Sequence, residues 1–187
     1  GEVTDAADKA HLVPFGEYIP FWRLVSGFNI APLQRIGAGF EPGARAPRRI
    51  MLANAPAATI LICYEAIFPG LAPAGDDRPG WIISVTNDAW FGNGVGPSQH
   101  FAIARYRAIE SGLPIARAAS GGVSAIVDPQ GRVIDANRGA GYAEARLPAP
   151  LPVTVYARFG LAASALVALV LALLRLAVPR PHRHACG

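Results

Sequence analysis

With 187 residues, 52% of them hydrophobic and 16% charged, the chain can form one domain with a sizeable core and is apolar for a soluble one. Its formal charge of +4 is too small to argue for nucleic acid, and without lysine-rich runs or aromatic–basic interleaving that class of partner is set aside. The opening at Gly1 carries no Met, signal peptide or capping pattern, so the chain reads as a C-terminal fragment.

Residues 1–8 are loop-like. "KAHLVPFGEYIP", Lys9 to Pro20, reads as a short strand and turn, and "FWRLVSGF", Phe21 to Phe28, is strongly apolar. Residues 31–58, rich in Gly, Pro and Arg, read as an extended loop. Short apolar runs of strand length follow: "ATILICYEA", "GWIISVTND", "PIARAAS" and "GVSAIVD", the last joined by a "DPQGR" hairpin turn to "VIDAN". Between the second and third lies a helical pattern with Ile103, Tyr106 or Arg107, and Glu110 on one stripe. Ser98 is its expected N-cap and Gly112 its C′ residue. Apolar strands interleaved with a helix predict an α/β or layered α+β domain with a buried sheet.

From Phe159 to Leu174 Ser164 is the one strongly polar residue, and Arg175 follows near the end. About 20 residues of helix at ~1.5 Å rise cross ~30 Å of hydrocarbon, so residues 158–178 are expected to form a transmembrane helix. Arg180 and Arg183 beyond it place residues 179–187 on the cytoplasmic side and residues 1–157 outside. The two cysteines, Cys63 and Cys186, then lie on opposite sides of the membrane, which leaves Cys63 an unpaired candidate nucleophile.

A nucleophilic Cys63 must be partly thiolate, although a free cysteine (pKa ~8.5) is mostly protonated at neutral pH. The run ending in "CYE" can expose the sulfur at the sheet edge, and a turn there can aim the Tyr64 N–H at a developing oxyanion. Glu65 shares a face with Cys63 if the strand continues, and need not if a turn begins. Lys9, ahead of Glu17, can favour the thiolate and stabilise an oxyanion; a dyad with His11 or His100 is the rival. Asp88, Glu65 and Glu17 have no metal-ligand spacing, and no metal or cofactor is expected.

Three motifs, "K-x-H-L-V-P-F-G-E-Y-I-P", "I-C-Y-E" and "T-N-D-A-W-F-G", are followed by "G-P-x-Q-H" and "A-R-Y-R-A-I-E". Together these resemble the apolipoprotein N-acyltransferases, a membrane-bound branch of the nitrilase (carbon–nitrogen hydrolase) superfamily. The likeness runs from Lys9 to the terminal apolar segment. It implies an α/β, four-layer αββα sandwich, incomplete at its N-terminus, followed by one transmembrane helix, with the catalytic domain on the periplasmic side of a bacterial inner membrane.

Carried over by that resemblance, Cys63 matches the nucleophile and Lys9 the triad lysine. Glu17 and Glu65 match accessory glutamates, and Tyr64 is the residue after the nucleophile. The general-base glutamate has no match, since Glu2 lies too close to Lys9. Phe21 and Trp22 are expected on an arm at the membrane interface, and Trp90 and Phe91 in an acyl pocket. Ser120 stands where the family pattern often has asparagine. The implied reaction moves a fatty acyl chain from a phospholipid, through a Cys63 thioester, to the N-terminal amine of an apolipoprotein's lipid-modified cysteine. The alternatives are a membrane-tethered amidase using water as acceptor, or a fragment that is inactive without its base.

Overall fold

The computed structural model describes residues 3, 5–28, 30, 35–37, 39–44 and 49–177. The expectations for Glu2, Cys186 and the tail 179–187 lie outside them.

Six strands form one mixed sheet in chain order: β1 (Arg49–Ile50), β2 (Ala58–Ile62), β3 (Trp81–Asn87), β4 (Ile115–Ser120), β5 (Val123–Val127) and β6 (Val133–Arg138). β2, β3 and β4 run parallel, and the pairs at either edge are antiparallel. The parallel centre comes from the apolar runs read in the sequence, which have no polar face to turn to water.

A short helix α1 (Trp22–Val25) precedes the sheet, and α2 (Gly96–Ser111) makes the crossover from β3 to β4. α2 begins two residues before the expected Ser98 cap, with Val95 at the N-cap and Pro97 in the first turn. Proline fits there because its missing N–H would have no helical acceptor in any case. The expected Gly112 stop holds, with φ +65° and its N–H on the Ala108 carbonyl. Arg78 donates to two further carbonyls at that end, Ser111 and Gly112 at 3.0 and 3.2 Å, and to that of Leu151 at 2.8 Å, while the Thr154 hydroxyl donates to the Glu110 carbonyl. The stripe α2 buries is His100, Phe101, Ala104, Ala108 and Ser111, whereas Tyr106 is exposed.

Strand register explains the core. Leu61 pairs with Ser84, Ser84 with Arg117, and Arg117 with Ala125, so alternate residues of the four strands share the face under α2. Leu61, Ile82, Ile115, Val123, Ala125 and Val127 pack there with Phe101 and Ala108. The opposite face carries Ile60, Ile62, Ile83, Val85, Ala116 and Ile126, all half-buried. The described residues thus supply one sheet and one helical layer of the expected four.

Four sequence expectations change locally, the first being that β1 forms inside the expected 31–58 loop. Lys9 to Pro20 forms no strand; a turn closed by a Pro14–Tyr18 bridge stands in its place. β2 stops at Ile62, and Cys63–Ile67 is a 3-10 helix. The apolar C-terminal segment divides into α3 (Val155–Phe159) and the 17-residue α4 (Leu161–Ala177), because Gly160 turns out of helical geometry at φ +55°. No helix among the described residues is long and apolar enough to cross a membrane. The hairpin turn after β5 forms as expected. Asp128 accepts the N–H groups of Gln130 and Arg132 at 2.9 Å each, and Gly131 takes φ +77°.

Candidate active site

Cys63 stands where β2 ends, in the left-handed region at φ +52°, which costs a residue bearing Cβ about 1–3 kcal/mol. The neighbouring carboxylate accounts for the bend. Glu65 is buried, and its Oε2 accepts the N–H of Ile62 at 2.8 Å, which caps the 3-10 helix and ends the strand. Its Oε1 accepts the N–H groups of Ala10 and His11 at 2.7 and 3.1 Å. One carboxylate therefore joins the backbone just before the cysteine to the backbone just after Lys9. Neither connection follows from the strand pattern, since they link residues 54 and 55 apart.

Lys9 is largely buried, and its Nζ lies 2.6 and 2.7 Å from the two oxygens of Glu17. Glu17 also accepts the Val13 N–H at 2.8 Å, so the ammonium is held by a carboxylate that is itself anchored to the turn. Tyr64 is the second residue of the 3-10 helix, a position whose N–H has no acceptor within the helix. Its ring meets Phe68 edge-on at 5.1 Å.

Neither histidine is placed as a dyad partner for the sulfur. His11 stacks on Phe68 at 4.9 Å, and His100 is buried with Nδ1 2.7 Å from Asp88 Oδ1.

The sequence reading missed the cluster around Asp88. Asn87 caps the turn after β3, accepting the Ala89 N–H at 3.2 Å. Asp88 instead points inward, fully buried. It takes Arg117 Nη2 on Oδ2 at 2.7 Å, while His100 and the Thr86 hydroxyl meet Oδ1. Burial pulls the Arg117 guanidinium below its ordinary pKa, and Asp88 first, then the Cys63 sulfur, opposes that pull. Gly122 gives this carboxylate room: a Cβ there would lie 2.2 Å from Asp88 Oδ2. The available signal was Arg117 itself, a lone charge inside the apolar strand "PIARAAS".

Of the two residues expected in an acyl pocket, Trp90 is 85% exposed and Phe91 half exposed; of the two expected on an interfacial arm, Phe21 is 79% exposed and Trp22 half-buried in α1. None of the four lines the two cavities beside Lys9 and Tyr64.

The sequence pattern described as "Carbon-nitrogen hydrolase" matches residues 1–148. The chain belongs to the carbon–nitrogen hydrolase family. Within the family it is 48% identical over 180 residues to a protein named apolipoprotein N-acyltransferase from Rhodopseudomonas palustris, covering 94% of this chain and 33% of that protein. It is 46% identical over 187 residues to one of the same name from Bradyrhizobium diazoefficiens, covering 97% and 34%. The chain thus spans about a third of the length of these curated relatives. Among solved structures, a cysteine-to-serine mutant of the Nesterenkonia AN1 amidase from the nitrilase superfamily superposes with a TM-score of 0.51. That match has 20% identity over 76% of this chain and 49% of the amidase, and it supports the family fold.

Proposed function

We propose that the chain is part of the catalytic domain of an apolipoprotein N-acyltransferase, with Cys63 as nucleophile and Lys9 as the cation that steadies its thiolate and the oxyanion. The observation that carries this reading is the Glu65 bridge, which joins the segment bearing Lys9 to the bend bearing Cys63. The names of the relatives give N-acylation of an apolipoprotein; to this we add a phospholipid ester as donor and the amine of a lipid-modified N-terminal cysteine as acceptor.

In the first half-reaction the Cys63 sulfur attacks the donor's ester carbonyl. A C–S bond forms, the ester C–O bond breaks, and the departing oxygen takes the proton that the general base removed from the Cys63 thiol, leaving as lysophospholipid. The Tyr64 N–H and the Lys9 ammonium face the oxyanion between those events. In the second, the acceptor amine attacks the thioester carbonyl. The C–N bond forms, the C–S bond breaks, and the amine's proton passes to a base as the thiolate is restored. Glu17 and Glu65 are both committed as acceptors, so the general base is assigned to the part of the longer relatives that this chain does not cover.

Two further features belong to the same reading. The half-buried apolar sheet face opposite α2 suits a second sheet, which would complete the four-layer sandwich. α4, whose leucines and valines are exposed along its length, is assigned as the bilayer anchor. Its 17 residues rise about 25 Å against about 30 Å of hydrocarbon, and Arg175 near its end can snorkel to the headgroups. On this reading the arginines beyond the anchor favour the cytoplasmic side and the catalytic domain lies on the periplasmic face of the inner membrane. Phe21 and Trp22 are assigned to an interfacial arm.

The test uses the full-length parent with phospholipid and a lipopeptide acceptor. Wild type should accumulate an acyl group on Cys63 and then N-acylate the lipopeptide, while Cys63→Ala and Lys9→Ala should abolish product. Normal turnover in either variant would end the assignment.

A further inference from the structure

The C-terminal end of α2 gathers two other parts of the chain. Near that end Arg107 donates from Nη1 to the Ile67 carbonyl at 3.2 Å, and Ile67 closes the 3-10 helix that Cys63 opens. Arg107 Nη2 also meets Glu110 Oε1 at 2.8 Å, one helical turn further on. The Thr154 hydroxyl donates to the Glu110 carbonyl and accepts the Ala157 N–H at 2.9 Å, so one hydroxyl both fastens α3 to α2 and caps α3. Arg78 spans the Ser111, Gly112 and Leu151 carbonyls, and the Leu151 N–H returns to the Gly112 carbonyl at 2.9 Å.

The joint is close-packed as well as hydrogen-bonded. Phe68, Leu71, Arg107, Glu110, Tyr156 and Ala157 surround a gap of about 20 Å³, room for a single water. A Cβ on Gly112 would meet the Pro152 carbonyl and the Thr154 methyl at 3.1 Å each, so the linker into α3 lies directly on the helix end. The nucleophile's turn, the end of α2 and α3 are thus held to one another by direct contacts. The bend at Gly160 comes only after this joint, which leaves α3 fixed to the domain and α4 leading away from it.

We propose that Arg107, Thr154 and Arg78 are positioning residues that make the end of α2 a strut, holding the Cys63 turn at a set height and angle above the bilayer that α4 enters. This rests on the function proposed above, including its assignment of α4 as the anchor. A phospholipid ester lies at a fixed depth beside its headgroup, so the sulfur has to be carried to that depth in the right orientation. A small ester dissolved in water approaches the same sulfur freely and needs no strut. The joint therefore matters for the bilayer-held donor and not for the dissolved one, because only the first has its orientation imposed from outside the site.

The experiment reconstitutes the full-length parent in vesicles of phosphatidylethanolamine and phosphatidylglycerol, without acceptor, and adds p-nitrophenyl acetate. Acetylation forms the C–S bond as p-nitrophenolate departs, with the thiol proton taken by the general base. The two donors compete for Cys63, and peptide mass spectrometry reads the early ratio of long-chain to acetyl groups on it. Taken within one sample, that ratio is not moved by a loss of folded protein. Thr154→Val keeps the side chain's shape and removes only the hydroxyl. It and Arg78→Met should each lower the ratio roughly tenfold, with acetylation itself held to within about twofold. Thr154→Ser and Arg78→Lys, which keep a donor in place, should restore it. A ratio unchanged in both Thr154→Val and Arg78→Met overturns the strut alone, whether or not total acylation falls. Absence of a long-chain acyl group on wild-type Cys63 overturns the proposed function and the strut with it.

Discussion

Replacing Glu65 by Gln changes a charge and hardly changes a shape, which isolates what the carboxylate does. In the wild type three backbone N–H groups converge on it at 2.7, 3.1 and 2.8 Å, two on one oxygen and one on the other. The amide of Gln offers a single oxygen. If that oxygen keeps Ala10 and His11, the NH2 faces the Ile62 N–H, donor against donor; if it turns to Ile62, two donors are stranded. A hydrogen bond to a charged group is worth about 1.5–3 kcal/mol, and the bonds that survive weaken once the charge is gone, so Glu65→Gln should cost about 3 kcal/mol. Against a usual domain stability of about 5–15 kcal/mol that leaves a folded protein with a loosened site. Denaturant unfolding of the full-length parent gives the total. Amide exchange locates it, with protection falling at Ala10, His11 and Ile62 and holding in β3 and β4. If the variant lies within about 0.5 kcal/mol of wild type with those three amides still protected, the bridge does not join the two halves of the site and the reasoning fails.

Four further outcomes follow from the same geometry. Cys63→Gly should be at least as stable as Cys63→Ala, by about 1 kcal/mol in thermal unfolding, because only glycine relieves the left-handed bend; the reverse order would remove backbone strain from the account. Asp88→Ala strands the buried Arg117 charge and should cost about 3–5 kcal/mol in denaturant unfolding, with Asp88→Asn milder. Gly122→Ala drives a methyl to within 2.2 Å of Asp88 Oδ2 and should lower the melting temperature by several degrees even without altering charge. Burial raises the Glu110 carboxyl pKa, with Arg107 opposing it, so the folded state holds this proton to higher pH than the unfolded chain does. Its contribution to stability is full below the unfolded pKa and lost as pH rises through the folded one, and Glu110→Gln should flatten that part of the stability–pH curve.

The elements legible in the sequence were those that local pattern decides. Apolar runs gave β2 to β5, the "DPQGR" turn gave the hairpin to β6, and Gly112 gave the end of α2. The misplaced boundaries were set by partners far along the chain or by a single backbone constraint. β2 ends early because Glu65 captures the Ile62 N–H, and α2 begins early because Pro97 is satisfied in its first turn. The spacing of Ile103, Tyr106 or Arg107, and Glu110 located the helix but not its packed face, which is His100, Phe101, Ala104 and Ala108, with His100 held by the buried Asp88. Within the site, residue types were readable and their pairing was not. Lys9 and Glu17 are close enough in sequence to suggest one turn, whereas Asp88 and Arg117 are 29 residues apart and meet only through the β3–β4 register.

Three carboxylates surround the candidate centre, and what saturates each decides what it can do. Glu17 is committed to the Lys9 ammonium, Glu65 to three backbone N–H groups, and Asp88 to Arg117 and His100 beneath the sheet end. A proton acceptor has to change partners during a reaction, whereas a positioning group has to keep them. By that criterion all three hold the site in shape: one sets the cation, one sets the bend that presents the sulfur, and one fixes the turn after β3. Their loss should therefore be felt first as disorder in the distance between ammonium and sulfur. A change in the chemistry of either group would come second. Cys63, one residue past β2 and bent into a 3-10 turn that Glu65 caps, depends on that frame more than on any single neighbour.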